Sequence, residues 1–199
     1  MSIKSRMQEL LQRHIIVKDH AVGTALVGTR RDVCPDTLSI TEPDKVLTLH
    51  CEAIKAGARI ITTNTFLSDP LMLRECGVEY STKQVVAVST ELARKAREMS
   101  DKEVFIAGSV GPSTRNISLA TDLTEEQLRD SYKELIVALV EGGVDILLIE
   151  SITDIRNAEI AADVCKECAA EVPIIFSATL SKIGGLLLSG RSIEKYVAD

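Results

Sequence analysis

Glu141-Gly142-Gly143-Val144-Asp145-Ile146-Leu147-Leu148-Ile149-Glu150 joins the end of a helical segment to a short apolar run that stops on a carboxylate. Upstream, Thr124-Glu125-Glu126-Gln127 has the spacing of a capping box, and the helix it opens is expected to end at the Gly142-Gly143 pair. The run Ile146-Leu147-Leu148-Ile149 is continuously apolar rather than alternating, which is the pattern of a strand buried on both faces. This succession of helix, glycine stop, buried strand and polar strand end recurs along the chain.

Four more runs of the same kind are Ile15-Ile16-Val17, Ile60-Ile61-Thr62-Thr63, Val104-Phe105-Ile106-Ala107 and Ile174-Ile175-Phe176-Ser177, giving five expected strands. Residues 43–56 read as a helix that opens on Pro43 and stops at Gly57, with Val46, Leu49 and Ala53 on its apolar face. Residues 83–98 and 155–170 read as two further helices, and Met7, Leu10 and Leu11 predict a short one ahead of the first strand. Helices alternating with buried strands imply a parallel sheet, either doubly wound or a (β/α)8 barrel of the TIM type. The loop Asp19-His20-Ala21-Val22-Gly23-Thr24 lacks the Gly-x-Gly-x-x-Gly of a dinucleotide fold, and the chain has no phosphate loop of the Walker type. The longest irregular stretch, residues 108–122 with Gly111-Pro112, is where such a fold is expected to keep its ligand.

Composition narrows the function. The 199 residues are 45% hydrophobic and 26% charged, an ordinary globular balance with no compositional break, so one domain over residues 1–199 is expected. A net charge of −6 and 3% aromatics supply neither the basic footprint nor the stacking platforms of a nucleic-acid binder. No apolar run reaches the roughly 18 residues of a membrane span. An odd number of cysteines, five, behind an N-terminus without an apolar leader fits reduced thiols and a cytoplasmic location.

Each expected strand ends on polar residues: Asp19, then Thr63-Asn64-Thr65, Ser109, Glu150-Ser151, and Ser177-Ala178-Thr179. Parallel strands bring these ends to one face, where Asp19 and Glu150 would meet amides and hydroxyls in a pocket for a small polar ligand bearing an ammonium group. The Cys165-Lys166-Glu167-Cys168 spacing, with no second pair, reads as helix packing, as do Cys51 and Cys76. Cys34 beside Pro35 is the expected exposed thiol. His14 and His50 read as satisfied structural histidines, and His20 lies near the expected pocket.

These residues carry a resemblance. The chain resembles the homocysteine-binding domain of the homocysteine S-methyltransferase family, and within it the N-terminal module of cobalamin-dependent methionine synthases. Asp19-His20-Ala21-Val22-Gly23-Thr24 is similar to the family's Asp-Gly-Ala-Met-Gly-Thr opening. Glu42-Pro43-Asp44 with His50, then Ala56-Gly57-Ala58 and Thr63-Asn64-Thr65-Phe66, resemble its second unit. Ala107-Gly108-Ser109-Val110-Gly111-Pro112 resembles its third, residues 141–150 its fourth and Leu188-Ser189-Gly190 its fifth. The resemblance implies methyl transfer to homocysteine, giving methionine, on a (β/α)8 barrel of which about five of eight units are present. A free thiol with a pKa near about 8.5 is mostly protonated at neutral pH. In this family zinc holds it as the thiolate that attacks the methyl donor. By position, Glu150 and Asp19 would hold the substrate ammonium, and backbone N–H groups at Ala21, Val22, Gly23 and Thr24 its carboxylate. Asn64 and Ser109 would support the pocket by hydrogen bonding.

Three departures bear on activity. The family's zinc ligands are three cysteines, one at the sixth strand and a pair near the eighth, and no cysteine here matches them. Zinc is therefore expected for the complete family domain, with its ligands absent from this chain and no catalytic residue assigned within it. The chain is expected to be part of a longer protein, since closing the barrel needs roughly 100 more residues. His20 stands where the family has Gly, and Thr62 replaces a Glu common in the methionine-synthase branch. Cobalamin and methyltetrahydrofolate would act through other domains or subunits, such as a corrinoid protein. Two other readings stay open: a non-catalytic partial barrel completed by a partner through its open edge, as a homo- or hetero-oligomer, and an unrelated (β/α) enzyme using Asp19 and Glu150 without metal.

Overall fold

The computed structural model describes residues 3–30, 32–180, 192 and 194. Helix α1 (Ile3–Arg13) is followed by α2 (Val22–Val27), a 3-10 turn at Pro35–Thr37, α3 (Leu38–Thr41) and α4 (Pro43–Ala56). Then come β1 (Ile60–Thr62), α5 (Pro70–Glu75), α6 (Thr82–Glu98), β2 (Phe105–Val110), α7 (Glu125–Glu141), β3 (Ile146–Ile152), α8 (Ile155–Cys168) and β4 (Ile174–Ala178). Residues 188–190, which carry the fifth-unit resemblance, lie outside the described residues.

All neighbouring strands pair parallel, in the order β1-β2-β3-β4. The helices pack in the same order, α4 on α6, α6 on α7 and α7 on α8. A doubly wound sheet needs a reversal of strand order that puts helices on both faces. Here the strands advance one by one with their helices in a single row, which is the wall of a barrel. Side chains alternate across it. Ile61, Ile106, Leu147 and Ile149 join the helix-side core. Ile60, Phe105, Ala107, Ile146 and Leu148 cluster on the opposite face, where Met7 of α1 covers them.

The stretch that decides the fold is built as its chemistry requires. Thr124 accepts from Gln127 N, and the Gln127 side chain accepts from Thr124 N, closing the capping box. A Cβ on Gly142 would lie 2.6 Å from Thr90 Oγ1, so the turn after α7 needs glycine to approach α6. Asp145 Oδ2 accepts from Arg97 Nη1 at 2.9 Å and from Ile106 N at 2.8 Å, tying α6 and β2 to the start of β3.

The first expected strand is not one. Residues 15–17 lead only into a single parallel bridge, Lys18 to Ile60. Asp19 N donates to Ile60 O at 2.9 Å and Arg59 N to Val17 O at 2.8 Å. Ile15 is 94% exposed, because this segment lies at the sheet edge with no described neighbour beyond it. Apolar continuity predicted burial that the edge position does not provide. Among the described residues, no helix is long and apolar enough to cross a membrane.

Candidate functional site

The C-terminal ends of the bridge segment, β1, β2 and β3 surround a cavity of about 400 Å³. Lys18 and His20 border it, with Ala21, Val22, Gly23 and Thr24 along one wall and Asn64, Ser109, Glu150 and Ser151 among the strand-end residues. Seven of the eight residues expected to bind substrate thus line one cavity. The eighth, Asp19, is not among its lining residues, and its side chain is 1% exposed. Its Oδ2 accepts from Thr62 N at 2.7 Å, and its Oδ1 accepts from Thr62 Oγ1 at 2.7 Å and Lys18 Nζ at 3.0 Å. The carboxylate is committed to closing the first strand end onto β1. Thr62 is the partner that makes this closure.

A hydroxyl relay stitches the next ends together. Thr63 Oγ1 and Thr65 Oγ1 are 2.7 Å apart, Thr65 Oγ1 donates to Ser109 O at 2.8 Å, and Ser109 N donates to Thr63 Oγ1 at 3.0 Å. Ser109 Oγ then donates to Glu150 Oε1 at 2.6 Å, which fixes the carboxylate at the end of β3. Ser151 holds a left-handed φ of 62°, beside a register irregularity between β3 and β4. A non-glycine residue in that region carries local strain, a feature that clusters at ligand sites. Asn64 Nδ2 donates to Pro35 O at 2.8 Å and Ser39 Oγ at 3.1 Å, drawing the 3-10 turn against β1. A Cβ on Gly111 would overlap the Phe66 carbonyl oxygen, so the loop after β1 can lie close over β2 only because residue 111 is glycine.

Two charged cavity-lining residues escaped the sequence reading. Lys18 reaches the cavity with Nζ 3.0 Å from Asp19 Oδ1 and 3.0 Å from Thr62 Oγ1. A lysine closing an apolar run beside the expected pocket was a usable signal. Asp36 is 1% exposed, and its Oδ2 accepts from Leu67 N and Ser68 Oγ, each at 2.6 Å. Its Oδ1 is buried without a partner. Burial, opposed by those two hydrogen bonds, pushes its carboxyl up to about 7. No local sequence signal marks it, since its partners are more than 30 residues away.

Several expectations are corrected. Residues 111–122 do not line the cavity. That loop fastens to the start of α8 instead: Asn157 Nδ2 donates to Pro112 O and Arg115 O, both at 2.8 Å, and Ser118 Oγ donates to Asp154 Oδ1 at 2.8 Å. Cys76, not Cys34, is the exposed thiol. His14 is exposed rather than structural. His50 is 1% exposed, but both ring nitrogens lack a partner, so it is buried without being satisfied. Burial drives its pKa down to about 4, with Asp19 opposing and His20 assisting. Cys165 is buried and Cys168 Sγ donates to Val164 O at 3.0 Å, in keeping with packing roles. Among the described residues, no three or more His, Cys, Asp or Glu side chains are grouped to hold a metal ion.

Residues 7–199 match the family model of homocysteine S-methyltransferases. Among solved structures, the homocysteine methyltransferase MmuM from Escherichia coli in its metallated form superposes with a TM-score of 0.80 at 23% identity, covering 96% of this chain and 72% of that one. Its oxidized form gives 0.80, also at 23% identity, over 96% and 71% of the two chains. Its apo form gives 0.71 at 22% identity, over 96% and 70%. These likenesses show a shared barrel fold, and the family match over nearly the whole sequence places the chain in the homocysteine S-methyltransferase family.

Proposed function

We propose that the strand-end cavity binds homocysteine, and that the chain is the substrate-binding part of an enzyme that moves a methyl group onto the homocysteine sulfur, giving methionine. The observation that carries this reading is the held carboxylate of Glu150, fixed by Ser109 in a cavity with room for an amino acid in a chain of this family. A carboxylate presented at a strand end pairs with an ammonium group through charge-assisted hydrogen bonds. The walls at Ala21–Thr24 and Asn64 shape the cavity around the remaining atoms. The finer reading is a methionine synthase of the cobalamin type, resting on the resemblance of the loop Gly111 to Asp122 to that branch, with the methyl carried by a corrinoid on another domain or subunit.

Zinc, which the family uses on the substrate thiol, does not fit the residues described here. All five cysteines and all three histidines of the sequence are described, and none belongs to a metal-holding group. The described residues of this chain bind and orient the substrate. The location is read as cytoplasmic.

Calorimetry with homocysteine tests the reading. Binding should weaken about tenfold or more in Glu150→Gln, the loss of a charged hydrogen bond worth about 1.5–3 kcal/mol. Absence of binding to the unaltered chain would remove the proposal. Exposed apolar residues in and just after β4, Phe176 at 39% and Leu180 at 46%, favour a second reading in which a partner completes the wall. Concentration-dependent association on sizing supports it, and a monomer at all concentrations counts against it.

A further inference from the structure

We propose that Cys34 and Cys76 form a modification site, a thiol pair that a peroxide converts to a disulfide across the loops beside the strand-end cavity. The two stand 42 residues apart in sequence and line one surface cavity, with Arg30, Glu42 and Tyr80 around them. The Cys34 thiol donates a hydrogen bond to the Cys76 sulfur. Cys34 is half-buried and Cys76 exposed, so an oxidant reaches Cys76 from solvent and finds its partner behind it. Of the other cysteines, Cys51 lies on α4, Cys165 is buried, and Cys168 Sγ is engaged with Val164 O.

Both positions are held before any bond forms. Cys34 O accepts from Thr37 Oγ1 at 2.8 Å and from Thr37 N at 3.2 Å, at the start of the 3-10 turn. Cys76 N donates to Met72 O at 2.9 Å at the end of α5. Val78 N closes that turn onto Leu73 O at 2.9 Å, with Gly77 in the left-handed region at φ 64°. Asp36 ties the 3-10 turn to Leu67 and Ser68, just ahead of α5. A disulfide tolerates only a narrow geometry. Thiols already in contact on two fixed segments need side-chain rotation rather than movement of the chain.

The thiolate is the nucleophile in such oxidations. Burial, with the charge of Asp36, pushes the Cys34 thiol up to about 12. Burial raises Cys76 as well, but the hydrogen bond from Cys34 opposes it. Cys76 is therefore the attacking sulfur and Cys34 the resolving one. The Cys76 thiolate attacks one peroxide oxygen and the O–O bond breaks. The departing hydroxide takes up the proton that Cys76 released and leaves as water, and Cys76 becomes a sulfenic acid. The Cys34 sulfur attacks that sulfur, the S–S bond forms as the S–O bond breaks, and the Cys34 proton leaves with the oxygen as a second water. The two thiols lose two electrons and the peroxide gains them. The bond fastens the turn whose Pro35 and Asp36 line the strand-end cavity to the end of α5.

Hydrogen peroxide added to the reduced, folded full chain tests the pair. After alkylation of the remaining thiols and tryptic digestion, mass spectrometry should find peptides 32–45 and 75–83 joined, with the loss of two hydrogens, and Cys51, Cys165 and Cys168 alkylated. The oxidised chain should unfold at a higher urea concentration than the reduced one, because the bond closes a loop in the unfolded state, and dithiothreitol should reverse the shift. In Cys34→Ser, dimedone should label Cys76, whose sulfenic acid has lost its resolving partner. Both measurements on the unaltered chain decide the pair even where Cys34→Ser fails to fold. Recovery of the two peptides unlinked, or linked only between chains or to other cysteines, overturns the proposal. A lowered urea midpoint does the same, since the bond would then form only by distorting the fold. Absence of dimedone from Cys76 in a folded Cys34→Ser overturns its role as the attacking sulfur.

Discussion

Asp36→Asn should make the protein more stable as the pH rises, although it alters a buried residue that lines the cavity. The folded carboxyl titrates near 7 because it is buried, against 3.8 in an unfolded chain. Below both values it is protonated in either state and contributes nothing. Between them the folded state holds a proton that the unfolded state releases, so stability falls as pH rises, by about 1.36 kcal/mol per pH unit. Above about 7 the full cost is in place, on the order of 4 kcal/mol for a shift of about three units. Asparagine does not titrate, and its carbonyl can still accept from Leu67 N and Ser68 Oγ as Asp36 Oδ2 does at 2.6 Å. Urea unfolding of both proteins at pH 5, 6, 7 and 8 isolates the effect. Asp69 has its pKa raised by burial as well, but it is present in both proteins. The variant's stability relative to the parent should climb by about 3 kcal/mol between pH 5 and 7 and then level off. Parallel pH curves would refute the reasoning, since they would mean that the Asp36 carboxyl is hydrated in the folded state.

His50 carries the opposite sign. Its folded pKa is depressed to about 4 by burial, so its contribution is intact above the unfolded 6.5 and is lost as pH falls toward 4. His50→Leu should flatten the acid limb of the unfolding curve by up to about 3 kcal/mol, and an unchanged limb would count against a buried neutral imidazole. Gly111→Ala should cost roughly 1–3 kcal/mol by urea unfolding, because the Phe66 carbonyl that a methyl would strike is backbone and cannot rotate away. A neutral result would mean that the loop after β1 does not close over β2. Thiol labelling of the native protein should modify the exposed Cys76 first and spare the buried Cys165 until unfolding. Early loss of Cys165 would place α8 away from the core.

The sequence was most legible where the signal is local. Pro43 and Gly57 mark α4 to the residue, since a proline in the first turn and a left-handed glycine after the last act within one turn of chain. The box at Thr124 did the same for α7. Asp69-Pro70 and Ser81 with Gln84 were equally local signals for α5 and α6, and they went unread. Strand existence depends on neighbours, which is why β1 to β4 were found within a few residues while residues 15–17 were misjudged. The candidate site divides along the same line. Glu150 and Ser109 announce themselves at the ends of apolar runs. The commitment of Asp19 to Thr62, 43 residues away, and the burial of Asp36 beneath Leu67 and Ser68 exist only once the chain is folded.

The one-by-one strand order also sets a timetable. Each strand pairs with the one made just before it, so a chain emerging from its N-terminus closes one crossover at a time and no strand waits for a distant partner. Helix α1 is the exception. Arg6 grips Glu103 with a pair of hydrogen bonds, Nε to Oε1 at 2.9 Å and Nη2 to Oε2 at 3.0 Å, across 97 residues of sequence. Met7 rests on a surface that needs Phe105 and Ile146 already in register. Helix α1 is therefore made before the wall it docks on and placed after it, and its docking marks the point at which the growing wall has acquired its third strand.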